Sequence, residues 1–121
     1  MRTCLIVGIG GFLGTVCRYL VSLIPISEKT GFPFNTLIIN VLGALIVGFL
    51  SGLSAKYNGI NADIMAFLRI GICGGFTTFS TFALETTSML GEGKGLLGIL
   101  YVALSLILGI GAVLIGKSLS A

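Results

Sequence analysis

The sequence predicts an all-α membrane protein whose single domain, residues 1–121, consists of four transmembrane helices. Hydrophobic residues make up 55% of the chain and charged residues only 9%, against roughly 25% charged residues in soluble domains. The mean hydropathy is +1.14, and a soluble protein of this composition would expose a very large apolar surface. The apolar residues form four stretches, each long enough to supply the roughly 20 residues that a helix needs to cross a bilayer.

The four predicted spans cover residues about 3–25, 35–55, 64–90 and 96–116. Three short polar segments separate them: ISEKTGF, which is bracketed by Pro25 and Pro33, KYNGINAD and GEGKG. Such segments are rich in turn-forming residues, and loops this short place neighbouring helices antiparallel. Four spans then place both termini on the same side of the membrane.

The first span follows Arg2 and contains one further charge, Arg18. No cleavage site with small residues ends this apolar run, so we expect a mature span rather than a signal peptide.

Glycine spacing predicts where helices pack closely. Gly10 and Gly14 lie four residues apart in the first span, as do Gly48 and Gly52 in the second, and small residues at this spacing let helix backbones approach one another. The chain also has three cysteines, Cys4, Cys17 and Cys73. They form no C-x-x-C motif, and we expect them to act as small buried hydrophobic residues.

The second and fourth spans each carry a polar pair on one helix face. Thr36 and Asn40 are four residues apart, and so are Tyr101 and Ser105. Polar groups inside a membrane are costly and usually functional. For the first pair an interhelical hydrogen bond is an equal alternative, and Tyr101 could instead be an interfacial anchor.

The third span contains the stretch GICGGFTTFSTFALE, residues 71–85. As one straight helix, residues 64–90 would extend about 40 Å, which exceeds the roughly 30 Å of a bilayer core. Gly74 and Gly75, followed by the β-branched Thr77 and Thr78, are poor helix formers. We therefore expect a helix break here, with freed carbonyls that line a cavity or bind a ligand and hydroxyls that cap the broken ends. Close helix packing through glycine is the alternative.

An aromatic stripe follows the glycine pair. Phe76, Phe79, Phe82 and Glu85 recur every three residues. Aromatic ring edges carry positive potential, and the amide and hydroxyl groups of the other spans are hydrogen-bond donors. Such a lining favours an anion, because a cation path would show rings of carboxylates or carbonyls. The alternative for the stripe is an ordinary apolar core.

The distribution of positive charge predicts that the chain inserts in both orientations. The side with the termini carries Arg2, Lys56, Arg69 and Lys117, and the opposite side carries Lys29, Lys94 and, if it reaches that interface, Arg18. This near balance gives little orientation preference under the positive-inside rule. Two oppositely inserted copies could then pair about a two-fold axis in the membrane plane.

Three motifs in this sequence resemble those of the CrcB/Fluc fluoride channels. The third-span stretch above resembles the family signature, GGFLGTVCRYLVS (residues 10–22) resembles the first-span motif, and NTLIINVLGALIVGFL (residues 35–50) resembles the second-span motif. The resemblance extends over all four spans. One departure is Asn35, where the family often has glycine.

The resemblance implies an antiparallel, dual-topology homodimer in the inner (plasma) membrane that exports fluoride passively and so lowers its toxicity. It implies two pores per dimer, each lined by both subunits. It also implies a structural sodium ion at the dimer centre, held by the main-chain carbonyls of Gly74 and Thr77 from each chain.

The resemblance further assigns roles to single residues. It implies that Phe79 and Phe82 turn ring edges to the pore ions and that Asn40 lines the pore. A polar path is implied for a second set of residues, Thr36, Tyr101, Ser105 and Glu85. Arg18 and Gly75 are implied to be structural, the arginine near the vestibule.

Other classes of protein fit less well. A small multidrug exporter needs a carboxylate in its first span, and this span has none. An assembly subunit packed through glycine would not need Asn40 or a phenylalanine stripe. An enzyme is not expected, since the chain has no histidine and only four acids from which to build a nucleophile–base pair. The positive charges form no basic run, so no nucleic-acid partner is expected.

Overall fold

The computed structural model covers residues 1–121 and consists of helices and their connections, with no strand. Its α-helices are α1 (Arg2–Ser22), α2 (Ile26–Thr30), α3 (Phe34–Lys56), α4 (Ala62–Met65), α5 (Gly74–Phe76), α6 (Phe79–Gly91) and α7 (Gly95–Leu119), and a π-helix, Ala66–Cys73, connects α4 to α5. The π-helix was not predicted.

Four helical segments are long and apolar enough to cross a membrane: Arg2–Thr30, Phe34–Lys56, Ala62–Gly91 and Gly95–Leu119. Only 18 of the 121 residues are buried within the chain, so most of the apolar surface must be covered by lipid or by another chain. These features confirm the predicted all-α multi-pass membrane protein. We refer to the four segments as the first to fourth spans.

The first span packs through its glycines against the third. A Cβ atom on Gly14 would collide with the backbone of Ile72, and one on Gly10 would lie 3.0 Å from the Cα atom of Gly71. Gly75 makes the same kind of contact, since its Cβ would lie 2.5 Å from the Gly11 carbonyl oxygen. The predicted glycine packing of the first span is thus confirmed.

The second and fourth spans pack in the same way, through Gly48 of α3 and Gly116 of α7. A Cβ atom on Gly48 would collide with the Val113 carbonyl, and one on Gly116 with that of Leu45. Gly52, the other predicted packing glycine, likewise lies against the end of α7, where a Cβ would meet Ser120.

We expect Gly48→Ala to destabilise the protein by roughly 1–3 kcal/mol, the usual cost of overpacking. Gly111→Ala is the matched control, because a Cβ at Gly111 meets no atom within 4 Å and alanine favours the helix by up to about 1 kcal/mol. Thermal melting of both variants in detergent tests this. Equal melting temperatures would show that α3 and α7 are not in backbone contact.

The expectation that all three cysteines are buried is wrong for two of them. Cys73 is buried, but Cys4 and Cys17 are exposed. Both lie in α1 at positions that do not pack on the third span, so their thiols face the surroundings of the protomer.

Asn35 has a structural role that its sequence position did not reveal. Its side chain is buried, and its Nδ2 donates to the carbonyls of Val21 at 2.8 Å and Ile24 at 2.7 Å. Its Oδ1 accepts from the Ser27 amide at 3.1 Å and from the Ser27 hydroxyl. Asn35 therefore ties the end of α1 and the short α2 to the start of α3.

Candidate functional site

Two residues of the third span have non-helical backbones. Thr77 has φ −79° and ψ 156°, and Thr78 has φ −147° and ψ 119°. Gly74 and Gly75 belong to α5, so the interruption in the predicted stretch lies at its two threonines and not at the glycine pair. The glycines permit the close contact with α1, and the extended segment follows three residues after Gly74.

Asn40 of α3 forms two hydrogen bonds with this extended segment, one through the oxygen and one through the nitrogen of its side-chain amide. Its Oδ1 accepts from the Thr78 amide at 2.8 Å, and its Nδ2 donates to the Thr78 carbonyl at 3.0 Å. An extended backbone at membrane depth must have such partners. The predicted pore asparagine thus fixes the conformation of Thr78, and one of its two N–H groups remains free to donate.

The hydroxyls of the segment cap the helix ends on either side. The Thr77 hydroxyl donates to the Cys73 carbonyl at 2.9 Å, and the Thr78 hydroxyl accepts from the Thr81 amide at 3.2 Å. Thr78 is therefore the N-cap of α6, a position at which threonine is favoured.

The carbonyls of Gly74 and Thr77 lose their usual helical donors. In an uninterrupted helix they would accept from the amides of Thr78 and Thr81, which donate instead to Asn40 and to the Thr78 hydroxyl. Neither carbonyl accepts a side-chain hydrogen bond. At membrane depth both oxygens need another partner, and main-chain oxygens freed in this way are typical ligands of Na⁺.

Arg18 and Gly75, both predicted to be structural, are in direct contact. The Gly75 carbonyl accepts from Arg18 Nε at 3.1 Å and from the Thr15 hydroxyl at 3.4 Å. This carbonyl is therefore satisfied by the first span. No three His, Cys, Asp or Glu side chains lie together, so a cation in this region would depend on main-chain oxygens.

A second polar group surrounds Glu85 on α6. The Thr36 hydroxyl donates to its Oε1 at 2.6 Å, and the Tyr101 hydroxyl donates to its Oε2 at 2.8 Å. The structure therefore assigns these two predicted donors to a carboxylate. One turn along α7, the Ser105 hydroxyl is buried without a hydrogen-bond partner, so it is free to bind a ligand or water.

The aromatic stripe is divided between core and surface. The Phe82 ring packs edge-on to Tyr101, with centroids 5.1 Å apart, and lies 5.8 Å from the Phe79 ring. Phe79 is 79% exposed and borders a groove that Asn40 also lines. An apolar core thus accounts for Phe82 in part, but it does not account for Phe79.

A polar cavity of about 480 Å³ lies beyond Glu85, towards the connection between α1 and α3. Its wall includes Thr36 and Glu85 together with three residues that were not predicted, Ser27, Thr81 and Ser88. The repeat of hydroxyl residues in TTFSTFALETTS could have indicated Thr81 and Ser88. Ser27 lies in the short helix α2, within a segment predicted to be a polar connection, and nothing in the sequence linked it to this cavity.

Comparison with known proteins gives a consistent result. Residues 5–117 match the family model described as CrcB-like protein, Camphor Resistance (CrcB). Curated relatives named fluoride-specific ion channel FluC include one from Chlorobaculum tepidum, 42% identical with 99% of this chain and 95% of the relative covered. Others come from Clostridium perfringens, 47% identical with 96% and 91% covered, and from Ruminiclostridium cellulolyticum, 43% identical with 94% and 88% covered.

These relatives are named as channels rather than enzymes, in agreement with the scarcity of acid–base side chains in this chain. The family model extends over nearly all of the sequence, including all four spans. The resemblance seen in the three motifs is thereby confirmed, and the chain belongs to the CrcB-like protein family.

Proposed function

We propose that this protein is a fluoride-specific ion channel that exports fluoride passively across the cell's inner (plasma) membrane. The names of its relatives support fluoride as the ion that is conducted, and the geometry of the site supports the proposed path of that ion. Hydrofluoric acid crosses membranes as a neutral molecule and ionises inside the cell, which traps fluoride. The membrane potential can then drive the anion out through a selective pore, which lowers its toxicity.

One observation carries the proposal: a continuous series of contacts connects the extended segment to the polar cavity. Asn40 and Phe79 border one groove, Phe79 adjoins Phe82, and Phe82 packs on Tyr101. Tyr101 then donates to Glu85, which lines the cavity at the end of the bundle. A helix bundle with a purely structural role does not require such a line of polar groups and ring edges, because polar groups within a membrane are costly.

The lining suits weak binding of a small anion. A ring edge offers diffuse positive potential without a full charge, and conduction requires binding that is strong enough for entry and weak enough for exit. The free N–H of Asn40 and the unpartnered Ser105 hydroxyl add two donors. The Glu85 carboxylate would repel an anion, but both of its oxygens accept hydrogen bonds, which disperses its charge.

Export is tested in cells that lack their own fluoride exporter. Expression of this chain should restore growth in medium with fluoride and lower the fluoride content of the cells. Normal localisation to the membrane with no gain in fluoride tolerance would contradict the proposal.

We propose that the functional unit is an antiparallel homodimer with two pores. The exposure of Phe79 in the single chain supports this, because a second copy would cover the ring and complete the groove. A closed two-fold pair is the commonest oligomer.

The dimer requires that copies insert in both directions. Because positive charges are nearly balanced between the two sides, we expect reporters fused after Ala121 to read inside and outside in comparable amounts. Fusions with two compartment-specific reporters measure this. A single orientation would rule out the antiparallel pair.

We further propose that the carbonyls of Gly74 and Thr77 from both copies hold a sodium ion at the dimer centre. The loss of their helical donors supports this assignment, since hard oxygen ligands without other partners suit such a cation. When bound, the ion would supply a fixed positive charge near the anion path. The residues that line the proposed anion path are side chains of the protein and are separate from this ion.

Gly74→Ala tests this centre, because it separates effects within one chain from effects between chains. A Cβ on Gly74 meets only the Arg69 carbonyl oxygen, at 3.9 Å, so the single chain tolerates it. If Gly74 faces its counterpart, we expect the dimer dissociation constant to rise at least about tenfold, equivalent to 1.4 kcal/mol. The ratio of monomer to dimer on size exclusion measures this.

Two further conditions complete that experiment. Replacing sodium with a large organic cation should weaken the wild-type dimer, and Thr77→Ser should have little effect, because the proposed ligand is the main-chain carbonyl. A Gly74→Ala dimer as stable as the wild type, with no response to sodium removal, would contradict the proposed centre.

A further inference from the structure

Two cavities lie along the same side of α3. The first, about 340 Å³, is lined by Asn40, Ala44 and Val47 and by the extended segment with Phe79. The second, about 390 Å³, is lined by Ser54 of α3 and by Arg69 of the π-helix. Residues 40, 44, 47 and 54 share one face of a helix, so the two cavities follow each other from the centre of α3 to its C-terminal end.

Arg69 is the only charged residue that lines either of these two cavities. Two other cations form ion pairs, Arg2 with Asp63 and Lys94 with Glu92. Arg18 donates to the Gly75 carbonyl, and Lys56 lies over the Tyr57 ring. Arg69, like Lys29 and Lys117, makes no side-chain hydrogen bond or ion pair, but of these three residues only Arg69 lines either of the two cavities.

The surroundings of Arg69 leave its charge uncompensated. Asp63 is the nearest acid along the same span, and it is already bound by Arg2 and by the Thr3 hydroxyl. The side chain of Arg69 is exposed, and the other residues of its cavity are apolar except for the Ser54 hydroxyl. A guanidinium with five free N–H donors beside low-dielectric walls concentrates anions from solution.

We propose that Arg69 recruits fluoride from solution towards the neighbouring cavity on the same side of α3, which Asn40 and Phe79 line. This inference rests on the proposed fluoride channel and adds an entry residue to it. Arg69 acts by attraction at a distance, so its contribution concerns the capture of the ion and not its passage between the phenylalanine rings.

Fluoride efflux from liposomes at several fluoride concentrations tests this role, with purified wild type, Arg69→Gln, Arg69→Lys and Lys117→Gln. Lys117 is the matched control, as it is exposed at the same end of the bundle but lines neither cavity. In low salt we expect Arg69→Gln to lower the rate at low fluoride by roughly tenfold, the lower end of the range for electrostatic steering. The rates should converge at saturating fluoride and when an impermeant salt screens the charge.

Arg69→Lys should retain most of the wild-type rate, and Lys117→Gln should equal it. Equal rates for Arg69→Gln and wild type under all conditions would overturn the inference. So would a loss that is the same at every fluoride and salt concentration, which indicates a structural role. A loss found only in vesicles with anionic lipid would assign Arg69 to a lipid phosphate instead. If wild type and Lys117→Gln also fail to conduct, the proposed channel function itself is wrong.

Discussion

Phe79→Ile and Phe82→Ile are each expected to reduce fluoride flux, by up to about tenfold. Isoleucine keeps an apolar side chain but has no ring quadrupole, and an edge-on aromatic interaction contributes about 0.5–1.5 kcal/mol beyond burial. That energy corresponds to up to about a tenfold change in an equilibrium constant. Fluoride efflux from liposomes, normalised to the amount of reconstituted dimer, is the measurement.

The two variants should differ in stability. Phe79 is largely exposed in the protomer, so its replacement should leave protomer stability unchanged. Phe82 packs on Tyr101, and its replacement should cost up to about 1.5 kcal/mol, the usual upper limit for volume-similar apolar swaps.

Phe76→Ile is the matched control for the ring effect. Phe76 ends α5, before the extended segment, and a Cβ placed on Gly43 would lie 3.5 Å from its ring. Phe76 therefore packs on the other side of the interruption, and the Phe76→Ile variant should conduct fluoride well. Normal flux in both the Phe79 and Phe82 variants would contradict the ring-edge mechanism. Equal losses in all three would indicate that packing explains the effect.

Asn40→Asp is expected to lower fluoride flux by roughly ten- to a hundredfold. Aspartate can still accept from the Thr78 amide, but an ionised carboxylate cannot donate to the Thr78 carbonyl, which now accepts at 3.0 Å. Leaving such a group unpaired costs about 1–3 kcal/mol, and a negative charge would also repel the permeant anion. The same efflux assay measures the result.

Asn40→Ala separates the two causes. It removes both hydrogen bonds to Thr78 without adding charge, so it should disturb the extended segment and conduct poorly, yet better than Asn40→Asp. If Asn40→Asp conducts as well as the wild type, Asn40 neither lines the path nor needs its amide to hold the segment.

Composition and spacing were sufficient to predict the helical architecture. The four spans follow from apolar stretches of membrane-crossing length, and the contacts of Gly10, Gly14, Gly48 and Gly52 follow from their four-residue spacing. Both signals are local, since they depend on residues within a few turns of one helix. Both signals can therefore be recognised in the sequence before it is known which helices pack against each other.

The arrangement of the site could be predicted only in part. Spacing placed Thr36 with Asn40 on one helix face, but the partners of both residues, Glu85 and Thr78, lie 49 and 38 residues away. Such pairings depend on how the second and third spans pack. For the same reason, the interruption could be placed only within residues 74–78, whereas the hydrogen bonds to Asn40 fix it at Thr78.

Two further features were missed because nothing local marks them. The π-helix, residues 66–73, has an ordinary apolar composition, and Gly71 within it is in backbone contact with Gly10. Asn35 appeared in the sequence only as a departure from the family's usual glycine, yet its side chain is hydrogen-bonded to α1, to α2 and to the connection between them. A buried amide with several distant partners cannot be recognised until the fold brings those partners together.

The central claim is that this chain conducts fluoride selectively, and ion efflux from liposomes that contain the purified protein tests it most directly. Vesicles loaded with potassium fluoride or potassium chloride are diluted into an impermeant salt, a potassium ionophore is added, and the released anion is measured with a fluoride or a chloride electrode. We expect rapid fluoride release that depends on the protein, with chloride release no faster than from protein-free vesicles. No fluoride release, or equal release of fluoride and chloride, would contradict the account.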